Sequence, residues 1–265
     1  MEERTIKELA IQFGWNVAAR LQADKAVDHR RLVFWAGFLT AQQQNLDHIP
    51  EGFGLLVGQS SLQLFCPAGV TIGIPWLKSA KIVRKPLLLK ALGANKGQQI
   101  FDATCGLGVD SFYLSTKGHK ILAAERNPLI YALLWEALCH YQQQMCQRDF
   151  YCIFADSQRL LSHFPQRWPS IDTILLDPMF AKTATRALPK VEMQQLRGMC
   201  VPEDSLLLTA AARVARDRII VKRPRKGSYL QQVEPQYSLS ERKGNVRYDV
   251  YLVKELQRVM LSGKD

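Results

Sequence analysis

Short apolar runs alternate with longer amphipathic stretches over most of this chain, and the alternation becomes regular from Gln98. Strand-like runs fall at 99–103, 120–124, 150–155, 172–176 and 218–222. Helical stretches lie among them at about 108–117, 128–147, 157–163 and 203–216. Apolar strands that alternate with helices predict a parallel sheet covered on both faces. The end of the chain differs. Gln236–Glu241 and Val246–Val253 flank Lys243-Gly244-Asn245, which predicts a hairpin and hence an antiparallel finish to the sheet. Upstream, residues 1 to about 50 read as helical and polar-rich, and 52–75 as two or three short strands broken by Gly, Ser and Pro. A helix is expected from about Arg84 to Leu92, stopped by Gly93. The whole predicts an α/β fold: a Rossmann-like, mostly parallel seven-stranded sheet with a terminal antiparallel hairpin over 85–265, preceded by a small α+β region over 1–84.

Charge narrows the partners. The 265 residues carry 35 Lys+Arg against 24 Asp+Glu, a formal net charge of +11, which favours a polyanion and above all nucleic acid. The start, Met1-Glu2-Glu3-Arg4, lacks the basic opening of a secretory signal, and the apolar stretch Leu32–Ala41 is interrupted by Gly37 and Thr40. No membrane span and a cytoplasmic location are therefore expected. Six cysteines occur without a C-x-x-C pair, so neither a zinc cage nor a disulfide framework is expected; no metal enters the reading. Cys105 reads as a small residue in a tight loop rather than a nucleophile.

Four loops after predicted strands carry the candidate chemistry, the first three of them suited to a cofactor. Asp102-Ala103-Thr104-Cys105-Gly106-Leu107-Gly108-Val109-Asp110 follows the first strand and opens a helix, where glycines allow a sharp turn and close ligand approach. The third glycine of a dinucleotide fingerprint is absent, since Ser111 takes its place. A cofactor without a pyrophosphate fits better, and Asp102 suits the methionine ammonium of S-adenosylmethionine. Glu125-Arg126-Asn127-Pro128 ends the second strand 19 residues after Gly106, the spacing of an acid that accepts from ribose hydroxyls. Asp156-Ser157 ends the third strand, where an acid can accept from the adenine amine, cap the following helix, or do both.

The fourth strand runs into Asp177-Pro178-Met179-Phe180. An exocyclic base amine is a poor nucleophile because its lone pair is delocalised into the ring. A carboxylate that accepts its N–H groups can localise that pair toward a methyl sulfonium. Pro178 stiffens the loop, and Phe180 can stack the base. Asp177, Pro178 and Phe180 are the candidate catalytic residues. Basic groups are candidates for a phosphate track: Lys78, Lys81, Arg84 and Lys85; Lys222, Arg223 and Arg225; and Arg247 in the hairpin. Tyr248 and Tyr251 read as packing residues more than as base-stacking ones.

Taken in order, Asp102-Ala103-Thr104-x-Gly106-Leu107-Gly108-x-Asp110, Glu125-Arg126-Asn127-Pro128, Leu176-Asp177-Pro178-Met179-Phe180, Lys190-x-Glu192-Met193, Val221-Lys222-Arg223-Pro224 and Arg247-Tyr248-Asp249-Val250-Tyr251 resemble the bacterial small-subunit (16S) ribosomal RNA guanine-N2 methyltransferase family, RsmJ type. The likeness covers roughly residues 85–253. It implies a class I S-adenosylmethionine-dependent fold and methyl transfer to the N2 amine of a guanosine in 16S rRNA, free or in the 30S particle. It also implies cofactor contacts at Val109-Asp110, Glu125-Arg126, Asp156-Ser157 and Asp177. The chain departs from the family pattern at Val109, where the family usually has Arg, at Ala181, where Pro is usual, and in the shortened basic segment Lys78–Lys85. These departures touch RNA docking more than the cofactor. The competing readings are an amino-methyltransferase on DNA adenine or another RNA, and a basic ribosome-assembly or RNA-binding protein with a vestigial methyltransferase fold; an NAD-dependent oxidoreductase is weaker, lacking the third glycine.

Overall fold

A computed structural model describes residues 20–23, 27–78, 84–145, 149–178, 191–199, 206–242 and 244–262. Eleven strands lie among them, in two sheets. The smaller sheet has the order β1 (Leu21–Ala23), β2 (Gly54–Val57), β3 (Leu62–Phe65), β4 (Thr71–Ile72), with β1 parallel to β2 and the rest antiparallel. The helices His29–Ala41 and Gln43–Leu46 belong to this region. The first opens on Asp28, whose side chain accepts from the Arg30 N–H, and buries Leu32, Trp35, Ala36 and Leu39.

The larger sheet has seven strands. β5 (Gln99–Asp102), β6 (Lys120–Glu125), β7 (Phe150–Phe154), β8 (Thr173–Leu176), β9 (Arg218–Pro224), β10 (Tyr237–Ser240) and β11 (Val246–Leu252) stand in the order β10-β11-β9-β8-β5-β6-β7. Five strands are parallel, and the β10–β11 hairpin closes the edge antiparallel. The two central strands explain why the apolar runs showed no alternation: every residue of β8 is buried, as are Ile100, Phe101 and Asp102 of β5. β10, at the edge, is polar and mostly exposed.

Helices cover both faces. Val109–Ser115 and Pro128–Met145 pack with the N-terminal region in one core, which includes Leu114, Leu129, Leu133, Leu39 and Leu55. Leu207–Val214 and Val253–Ser262 pack in the other, with Leu208, Ala211, Tyr251 and Leu256. An aromatic run ties the N-terminal helix to the sheet: Phe38 lies 6.0 Å from Tyr131 and 6.3 Å from Phe154, ring centre to ring centre. The expected N-terminal polar region thus contains a strand, β1, that nothing in its three residues announces. It exists because its backbone pairs with β2, and because Arg20 beside it donates to the Ile49, Pro50 and Phe53 carbonyls.

Candidate active site

The strand order reverses between β5 and β8, and a cavity of about 770 Å³ opens at the carboxyl ends of the strands around that point. Its wall takes Ala103, Thr104 and Gly106 from the loop after β5, Glu125 to Pro128 from β6, Phe154 to Ser157 from β7, and Asp177 and Pro178 from β8. Three of the four expected loops therefore present their acids, Glu125, Asp156 and Asp177, to one hollow.

Gly106 lines the cavity, whereas Gly108, also expected at the cofactor, stands outside its wall and faces Leu134 and Phe150. Gly106 and Gly108 both have positive φ, +54° and +71°, and a Cβ on Gly108 would stand 2.7 Å from Leu134 Cδ1. Gly108 caps the helix Val109–Ser115 in the left-handed conformation. Trp76 steadies the loop from outside: its indole N–H donates to the Leu107 carbonyl at 2.9 Å, and its ring stacks 4.3 Å from Phe112.

Glu125 accepts the Gly106 N–H at 2.9 Å on one oxygen and the Asn127 N–H at 2.7 Å on the other. These bonds aim a carboxylate into the cavity. Burial pushes its pKa up from the ordinary glutamate value, against the backbone N–H bonds that favour its charge. Asp156 performs one of the two tasks foreseen for it: one oxygen accepts the Arg159 N–H at 2.9 Å as a helix cap, while the other lies 3.6 Å from the Arg126 guanidinium at the cavity wall. Ser157 is buried and its hydroxyl donates to the Ala103 carbonyl, joining the first and third loops. Asp177 is held by its own N–H, which donates to the Thr104 hydroxyl.

Asp102 lies elsewhere. It is buried under the loop, accepting from the Thr104 N–H at 3.1 Å and the Ser111 hydroxyl at 2.6 Å, and it does not line the cavity. Its place is beneath the glycine turn, where Ser111, the residue that replaced a third glycine, supports it. Val109 and Asp110 also stand outside the cavity wall. Asp110 instead pairs with Lys85 and Lys222, and Lys222 pairs in turn with Asp177 at 2.6 Å.

This changes the picture of the basic groups. Lys85 and Lys222 were expected on a phosphate track, yet both turn inward to carboxylates; burial and the neighbouring Lys222 push the Lys85 pKa down to about 8. Arg223 and Arg247 are buried rather than presented to solvent. Alternation along β9 sends Arg223 to the opposite face from Lys222, where its guanidinium donates to the Ser228 carbonyl. Arg247 makes a two-pronged pair with Asp249 at 2.8 and 3.0 Å and donates to the Arg225 and Gly227 carbonyls. Arg84 and Arg225 remain exposed. Phe180 and Lys81, and the side chain of Lys78, lie outside the described residues. Tyr248 and Tyr251 are both buried, and the Tyr251 hydroxyl donates to the Val233 carbonyl at 2.9 Å.

Sequence reasoning missed part of the wall. Asn45, His48 and Ile49 of the N-terminal region line the cavity, as do Gln158, His163, Met199 and Leu207. No spacing rule singles out Asn45 or His48; the packing of Phe38 on Tyr131 and Phe154 brings them there. Gln158 Oε1 is buried and accepts no hydrogen bond among the described residues. Three acids and a glycine turn without a pyrophosphate cradle fit an adenosyl group bearing a cationic amino-acid tail. Among the described residues, no cluster of His, Cys, Asp and Glu could hold a metal ion, and no helix is long and apolar enough to cross a membrane.

A family model for SAM-dependent methyltransferases matches residues 77–253. Two curated relatives, from Hydrogenovibrio crunogenus and Bdellovibrio bacteriovorus, both bear the name ribosomal RNA small subunit methyltransferase J. The first is 30% identical over 94% of this chain and 91% of its own. The second is 30% identical over 91% of this chain and 96% of its own. A solved SAM-dependent methyltransferase from Neisseria gonorrhoeae shares the fold with a TM-score of 0.60 at 22% identity, over 88% of this chain and 95% of that one.

Proposed function

Since the chain belongs to the family of the small-subunit ribosomal RNA methyltransferases J, within the SAM-dependent methyltransferases, we propose that it transfers the methyl group of S-adenosylmethionine to the exocyclic N2 amine of a guanosine in 16S rRNA, free or in the 30S particle. The observation that carries the reading is the convergence of Glu125, Asp156 and Asp177 on one cavity at the switch point of a parallel sheet.

Glu125 would accept from the ribose hydroxyls. Asp156 would accept from the adenine amine, and Gly106 leaves room for the chain to pass close to the ligand. The cofactor supplies an electrophilic methyl on a sulfonium. Asp177 would accept an N–H of the base amine, localise the nitrogen lone pair toward that methyl, and hold the approach in line. The positive charge that develops on the amine nitrogen, as the N–C bond forms and the S–C bond breaks, is relieved by loss of a proton to solvent. Pro178 fixes the backbone immediately after Asp177. Phe180 is proposed to stack the guanine. Arg84 and Arg225, exposed at the surface, are proposed phosphate contacts.

The test is Asp177→Ala. Cofactor binding in titration calorimetry should stay near wild type, while kcat for methylation of undermethylated rRNA or 30S particles falls by about 10²–10³-fold, the scale of losing one transition-state hydrogen-bond partner. Undiminished transfer would remove Asp177 from the reaction. Methyl uptake by naked DNA in the same assay measures the alternative amine acceptor.

A further inference from the structure

Lys222 stands where carboxylates of two loops meet. β9 runs parallel to β8 with Val221 beside Leu176, so Lys222 and Asp177 leave the sheet side by side. The Lys222 ammonium donates to Asp177 Oδ2 at 2.6 Å and to Asp110 Oδ2 at 3.0 Å. Asp110 is anchored in turn, in the first turn of the helix after the glycine loop and with Lys85 on its other oxygen. Among the described residues, Asp177 Oδ1 accepts no hydrogen bond. Tyr248, opposite Lys222 on β11, is buried, and the Lys222 side chain is only 25% exposed, which leaves its ammonium poorly placed to meet a phosphate.

We propose that Lys222 is a positioning residue for methyl transfer: it holds one oxygen of Asp177 against the Asp110 anchor, so that the other is presented to the acceptor amine. The proposal rests on the reading of Asp177 given above. Asp177 without this partner would rotate about its side-chain bonds in a half-open site, since its side chain is 45% exposed. Burial acts against the charge on Lys222, but Asp177, by charge and by hydrogen bond, with Tyr248 and Asp102 behind it, keeps its pKa above the usual lysine value. The clamp therefore stays cationic at neutral pH. Asp110 and Asp177 face Lys85 and Lys222, two carboxylates against two ammonium groups.

The experiment compares Lys222→Met, Lys222→Gln and Lys222→Arg in methyl transfer to undermethylated 30S particles, with calorimetry of S-adenosylmethionine and the salt dependence of rRNA binding. Lys222→Met should lower kcat by about 10²-fold, the cost of a misplaced reacting group. KM for RNA, affinity for the cofactor and the salt slope should stay near wild type. Lys222→Arg should recover much of the loss. In an Asp177→Asn background Lys222→Met should add little, because the two act through one bond. Lys222→Gln carries the test if the methionine variant does not fold. Full kcat with a raised RNA KM and a shallower salt slope would make Lys222 a phosphate contact and overturn the proposal. Full transfer by Asp177→Ala would instead overturn the reading of Asp177 on which it depends.

Discussion

At the scale of single residues, a side chain's type was readable but its direction was not. Glu125 and Asp177 were identified by their spacing from the glycine loop and by the proline that follows the second, and both line the cavity. Lysines and arginines were harder. A cation that meets phosphate and one that clamps a carboxylate look alike in sequence, and Lys222 and Arg223, adjacent on β9, go to opposite faces and different partners. Glu125 allows a test at this scale. Protonation would remove the negative charge and turn one acceptor oxygen into a donor, weakening its bonds to the ribose, and burial raises its pKa above the ordinary 4.5. Affinity for S-adenosylmethionine should therefore be full above that raised value and fall as pH drops through it. The loss should begin at a higher pH than for an exposed glutamate. Calorimetry in buffers from neutral pH downward should show this. Glu125→Gln should bind at least about tenfold more weakly at neutral pH, as expected for lost hydrogen bonds to a charged group, and without the acid-side decline. A variant that binds as tightly as wild type would remove Glu125 from the ribose site.

At the scale of elements, long periodic segments and apolar strands were legible, and short pieces made by tertiary pairing were not. The seven strands of the large sheet and the helix Pro128–Met145 fall where the pattern put them, within a few residues. β1 and the polar helix Val191–Gly198 carry no strong periodic signal, and pairing or packing alone accounts for them. The loop after β5 shows what a motif means physically. Gly108→Ala should destabilise the fold by about 1–2 kcal/mol from the left-handed backbone alone, and by more from the clash with Leu134. It should also weaken cofactor binding, because the Gly106 N–H that orients Glu125 lies two residues away. Gly118→Ala is the control. Gly118 also has positive φ, +83°, but its Cβ would meet nothing within 4 Å, so it should show the backbone cost alone and leave cofactor affinity intact. Urea midpoints and calorimetry on the two variants separate local strain from a role in the site.

At the scale of the whole molecule, the cavity belongs to more than the methyltransferase sheet. The matched family region starts at residue 77, yet Asn45, His48 and Ile49 complete the wall, held there by Phe38 against Tyr131 and Phe154. An expected division at residue 84 leaves that part of the wall unexplained, because aromatic packing between distant segments has no local signature. The 35 lysines and arginines divide in a similar way. Some pair inside with Asp110, Asp177 and Asp249, and only the cations left at the surface can displace counterions from RNA. Arg225 and Arg247 separate the two uses. Arg225 is exposed, so Arg225→Ala should leave the melting temperature nearly unchanged and reduce the slope of log affinity for rRNA against log salt by about 1. Arg247→Ala leaves Asp249 buried and unpaired and should cost about 3–5 kcal/mol of stability. Where it still folds, in a stabilising buffer, its salt slope should match wild type. A reduced slope for Arg247→Ala at full stability would place that guanidinium on the RNA after all, and the buried pair would then have to open when RNA binds.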